Sequence, residues 1–65
     1  MENWMPKSYR PFDGKDYWLA EFWDYDKFGD SADRIAFEHS QHSRYSGAKV
    51  RVVKLSHGVA IYSDR

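Results

Sequence analysis

The chain has 65 residues, a formal net charge of zero and no cysteine. That length admits one domain, which buries only about 60% of the surface its unfolded chain exposes, and the missing cysteines exclude disulfides and thiolate zinc sites as its support. Zero net charge speaks against indiscriminate nucleic-acid binding, and no apolar run approaches the ~20 residues of a membrane span.

Residues 1–15 hold both prolines, Pro6 and Pro11, and the turn signal Asp13-Gly14. Each proline biases its predecessor towards extended geometry. This segment is expected to be an irregular arm, with Trp4, Met5, Tyr9 and Phe12 able to hold it against a domain spanning 16–65. The start MENWMPKSYRPF lacks the basic and apolar stretches of a signal peptide, so a soluble cytoplasmic protein is expected.

Residues 17–28, YWLAEFWDYDKF, carry six aromatic rings among Glu21, Asp24 and Asp26. Read as a strand, residues 16–26 place Tyr17, Leu19, Glu21, Trp23 and Tyr25 on one face. Trp18, Ala20, Phe22 and Asp24 then take the other, the denser apolar set and the one placed to meet Ile35 and Ala36. Read as a helix capped by Asp16, they form a stripe of Trp18, Leu19, Phe22 and Trp23. Aromatic enrichment and length favour the strand. The two readings differ in consequence, because the helix would turn those rings inward.

Residues 31–45 are expected to be helical. Asp30 or Ser31 is the candidate N-cap and Asp33 suits the first turn. Ala32, Ile35, Ala36 and His39 share a face, Phe37 lies to the side, and Gly47 is a natural terminator. A thin stripe of small residues suits a helix lying close across a sheet. Residues 49–55 and 59–63, separated by Ser56-His57-Gly58, read as a β-hairpin. In the second strand Val59 and Ile61 share one face, Ala60 and Tyr62 the other. The expected fold is therefore α+β: about three antiparallel strands in β-α-β-β order, one helix across them, and the arm.

Catalytic and metal signals are weak. The serines lack a G-x-S-x-G setting, and Asp13-Gly14-Lys15 is too short for a phosphate loop. His39 and His42 lie three apart, with Glu38 or His57 as conceivable co-ligands, but that spacing alone makes no metal site. No enzyme activity, cofactor or metal is expected.

Charge is unevenly spread. From Asp13 to Asp33 seven acids face Lys15 and Lys27; from Arg34 onward six bases face Glu38 and Asp64. Such asymmetry steers binding encounters, unless the halves neutralise each other on folding. Two binding readings follow. Glu21, Trp23, Asp24, Tyr25 and Asp26 form an acidic aromatic set suited to a basic protein surface, since Tyr and Trp are common hot-spot residues and carboxylates pair with Arg and Lys. Arg34, Arg44, Lys49, Arg51 and Lys54 form an alternative set for direct nucleic-acid binding, although the rings that would stack bases lie among the acids. A homodimer or structural assembly that buries the surplus rings is a third reading.

Ser31-Ala32, Arg34-Ile35-Ala36, Gly47, Val50-Arg51, Gly58, Tyr62 and Asp64 run through the helix and hairpin. In this stretch, residues 31–64, the chain resembles small phage-encoded inhibitors with a β-α-β-β module, such as some anti-CRISPR proteins and some inhibitors of host RNA polymerase. The first half matches no such family. The resemblance implies a non-enzymatic inhibitor that occludes a host protein or nucleoprotein surface in the bacterial cytoplasm, without a cofactor. The acids would then stand in for the phosphates of a nucleic acid.

Overall fold

The computed structural model describes residues 5–65; Trp4 of the expected arm lies outside the described residues. In chain order the elements are β1 (Tyr9–Phe12), β2 (Lys15–Asp24), α1 (Tyr25–Phe28), α2 (Ser31–Ser40), a 3-10 turn (Ser43–Tyr45), β3 (Val50–Lys54) and β4 (Gly58–Ser63). The strands make one antiparallel sheet in the order β1-β2-β4-β3. The fold is α+β as expected, but with four strands and two helices.

The added strand comes from the segment expected to be irregular. Asp13 and Gly14 both have positive φ, 54° and 80°, as a type I′ hairpin turn requires. They join β1 to β2 with Phe12 opposite Lys15 and Tyr9 opposite Trp18. Pro11 is compatible with this pairing because of phase. Leu19 N–H donates to the Ser8 carbonyl at 2.8 Å, so the even residues 8, 10 and 12 bond across the pair. Pro11 lies between them, where its missing N–H faces outward from an edge strand.

Residues 15–24 form a strand, so the helical alternative for this stretch falls. The strand does not alternate throughout. Leu19 pairs with Tyr62 and Glu21 with Ile61, leaving Ala20 as the extra residue of a β-bulge. The bulge shifts the pleat by one. Tyr17 and Leu19 share a face with Phe22, while Glu21 and Trp23 join the opposite, helix-covered face. The face assignments expected from strict alternation are therefore wrong beyond Leu19. Phe22, expected under the helix, packs on the other side with Tyr17, Ala60 and Tyr62.

Every residue of β4 is buried. Val59 and Ile61 meet Ala32 and Ala36 of α2, with Trp23, Tyr25, Tyr45 and Val50 around them. The two alanines are fully buried, so small side chains let the helix approach the sheet closely. Ala60 and Tyr62 face the other way among Phe12, Leu19, Phe22, Val53 and Leu55. There residues 5–8 lie against the sheet: Pro6 is buried and Tyr62 donates its hydroxyl to the Lys7 carbonyl at 2.7 Å.

Helix α2 starts and ends differently from expectation. Asp30 has helical angles and makes no side-chain capping bond, because α1 runs almost directly into α2 and Ala32 N–H already donates to Gly29 O. The helix stops at Ser40, short of the expected residue 45. Ser40 bonds back to the Phe37 carbonyl at 2.6 Å, and the following Gln41-His42-Ser43 includes residues that compete with helix for backbone bonds.

Gly58 starts β4 where no side chain fits. A Cβ there would stand 2.3 Å from the Trp23 carbonyl oxygen and 2.8 Å from the Phe22 ring. Gly58→Ala is expected to destabilise the domain by about 2–3 kcal/mol through overpacking, read as a lowered urea midpoint with an unchanged slope.

Candidate functional site

The acidic aromatic set divides on folding. Glu21 and Trp23 stand on the helix-covered face. Glu21 collects four neighbours: its Oε1 accepts from Trp23 Nε1 and from His39 Nδ1, each at 3.0 Å, and its Oε2 accepts from the Tyr45 hydroxyl and, at 3.4 Å, from Arg44. Its side chain is 14% exposed. Trp23 is half-buried, with its ring edge-on to His39 at 4.7 Å and to Phe28 at 5.0 Å. Both residues were expected to face a partner; the bulge turns them inward, and Glu21 instead ties β2 to α2 and to the 3-10 turn.

Burial alone would raise the Glu21 pKa. The bonds from Tyr45, His39 and Trp23, with the charge of His39, overcome that and hold it below its ordinary 4.5. Tyr45 is displaced the other way. Burial, the bond to Glu21 and the Glu21 charge push its hydroxyl up to about 12.

The other three residues of the set sit at the end of β2 and on α1. Asp24 caps α1, its Oδ1 accepting from Asp26 N–H at 2.7 Å. Tyr25 donates to Asp33 at 3.0 Å, and burial followed by that bond raises its pKa. Asp26 is exposed, as are Asp30 and Phe28, the last 38% so. Among the described residues Asp24, Asp26 and Asp30 form no ion pair. Phe28 and Asp30 completed this corner unnoticed in sequence, although Phe28 closed the aromatic run and Asp30 follows the Gly29 turn.

The alternative basic set does not gather on one face. Register places Lys49 and Arg51 on the side away from α2 and Lys54 on the helix side. Arg51 pairs with Asp13 and stands 5.3 Å from the Phe12 ring centre; Lys54 pairs with Asp33 at 3.3 Å. Arg44 reaches Glu21, and Arg34 is exposed on α2. The histidines separate too. His39 bonds Glu21, His42 accepts from Arg44 N–H at the head of the 3-10 turn, and His57 lies beside Ser56 in the β3–β4 turn. No group of three or more His, Cys, Asp or Glu among the described residues is arranged to hold a metal ion. No described helix is long and apolar enough to cross a membrane.

One further ring pair lies open. Tyr9 and Trp18, opposite each other on β1 and β2, lie with ring planes tilted at 47° and 5.4 Å between centres, and Trp18 is 53% exposed. Phe37 on α2 and Val52 on β3 are also exposed. No family model, curated protein or solved structure matches the chain.

The Glu21 cluster predicts a defined pH response. A carboxyl held below 4.5 adds stability that is complete above that value and is lost as pH falls through the folded pKa. A phenol raised to about 12 adds stability that is complete below 10 and lost as pH climbs to 12. Glu21→Gln is expected to cost about 2 kcal/mol at neutral pH by leaving donors poorly satisfied. In urea titrations its deficit against the parent should shrink progressively as pH falls below 4.5 and the parent carboxyl itself takes up a proton.

Proposed function

We propose that the chain is a non-enzymatic binding protein that occludes a basic, nucleic-acid-binding surface of a host protein, as a phage anti-defence inhibitor of the anti-CRISPR kind does. The observation that carries this reading is the α1 corner. Asp24, Asp26 and Asp30 stand there without an ion pair among the described residues, and Phe28 is exposed between them in the chain. Carboxylates fixed along a short rigid turn present charge to Arg and Lys much as phosphates do, and an aromatic ring among them supplies apolar anchorage. Glu21 and Trp23 act from beneath, by fixing the strand that carries the corner.

The test is a comparison of variants. Asp26→Lys with Asp30→Lys reverses the corner and spares Asp24, which caps α1. A tagged chain should retain a nucleic-acid-binding protein from bacterial host lysate, in a salt-sensitive manner, and nucleic acid should compete for it. The double variant should bind that protein at least about tenfold more weakly with an unchanged circular dichroism spectrum. Equal affinity of parent and variant would refute the proposal.

A further inference from the structure

β3 is an outer strand, and no strand among the described residues pairs along its outer side. The hairpin fixes which backbone groups face outward. Leu55 N–H donates to the Gly58 carbonyl at 2.7 Å, and Asp64 N–H to the Lys49 carbonyl at 3.0 Å. Residues 49, 51, 53 and 55 therefore turn their amides and carbonyls towards β4. By the alternation of antiparallel pairs, Val50, Val52 and Lys54 turn theirs away.

Proteins blunt such edges with proline, bulges or free charge. β3 has no proline and pairs with β4 without a register shift. Two of its cations are neutralised at home, Arg51 by Asp13 and Lys54 by Asp33. Beside the edge lies exposed apolar surface: Val52 is 40% and Phe37 61% exposed. Phe37 follows Asp33 by one helical turn, on the flank of α2 from which Asp33 reaches Lys54 of β3.

We propose that β3 is a homodimerisation edge, at which two copies pair antiparallel about a two-fold axis through Val52 and join their sheets into one. The register is self-complementary. Val52 exchanges both backbone bonds with its counterpart, and Val50 does so with Lys54 of the second copy. On the side away from α2, Arg51 falls opposite Val53 and Lys49 opposite Leu55, so no cation meets a cation. Centring the axis on Lys54 would oppose two ammonium groups, and centring it on Val50 would leave Lys54 without a partner strand. The chosen register also brings both copies of Phe37 to the same side of the joined sheet. An edge of five residues with a few apolar side chains falls short of the ~1,200 Å² typical of stable complexes, so the dimer is weak. It is independent of the α1 corner and stands or falls without it.

Sedimentation velocity of the full chain between about 5 and about 500 µM tests this. The expected result is a shift from monomer to dimer with a midpoint of some tens of micromolar, ~50 µM. The amide protons of Val50, Val52 and Lys54 should exchange more slowly at the high concentration, while Arg51 and Val53, already bonded to β4, should not change. Val52→Lys sets two ammonium groups on the axis and should weaken self-association at least about tenfold. Val52→Pro removes one outward N–H without touching the β4 ladder and should do the same. A chain that remains monomeric at the highest concentration overturns the proposal. So does a dimer that the variants leave unmoved, or protection of the three amides that does not depend on concentration.

Discussion

Ala20 has no partner on β4, and β2 changes faces around it. The rest of the molecule depends on this one extra residue. Without it Glu21 would continue the face of Tyr17 and Leu19, among Ala60, Tyr62 and the residues of the arm. With it Glu21 lies under the helix beside Ile61, where donors from α2 and the 3-10 turn converge with Trp23 of its own strand. A bulge also increases local twist, here where β2 passes from the β1 hairpin to the layer beneath α2. The first half of β2 serves the hairpin, and the second half serves the helix.

The carboxylate so placed does work that apolar residues could not do in a domain of this size. The helix offers only Ala32 and Ala36 as fully buried contacts, and 25 cal/mol per Å² of apolar area credits such small side chains with little. Glu21 adds bonds to Tyr45, His39 and Trp23 and an ion pair to Arg44. Tyr45 and Arg44 anchor the 3-10 turn, His39 anchors α2, and Trp23 steadies β2 itself. A largely buried acceptor with several donors is costly to remove, since the less exposed of those donors lose their partner at once. No buried side-chain nitrogen or oxygen among the described residues lacks a partner.

What the sequence made legible was whatever rests on short-range rules. β4 alternates as Val59 and Ile61 against Ala60 and Tyr62, and the structure keeps that division. Ala32 and Ala36 read as a close-packing helix face, and they are one. Asp13-Gly14 announced its turn, but the two prolines hid the strand before it; Pro11 is harmless only because the hairpin phase turns its nitrogen outward. The bulge left no mark, because Ala20 is an ordinary residue and the slip is set by the pairing of β2 with both neighbours. Since Glu21 and Trp23 lie just beyond the slip, one backbone irregularity altered most of what could be said of the candidate site.

The uneven distribution of charge along the chain follows a different logic from the packing. The fold brings the acidic first half against the basic second half, pairing Asp13 with Arg51, Glu21 with Arg44 and Asp33 with Lys54. The pairs of Asp13 and Asp33 are exposed and add little stability, but they remove charge from the field. The basic strand is thereby largely discharged, which weakens it as a phosphate-binding surface and leaves its edge open to another strand. Among the described residues the acids at the start of α1 have no such partners. Asp24, Asp26 and Asp30 lie at and beyond the end of β2 remote from the β1 hairpin, on and around a one-turn helix. Folding therefore leaves a local group of acids, Asp24, Asp26 and Asp30, on either side of the exposed Phe28 in the chain.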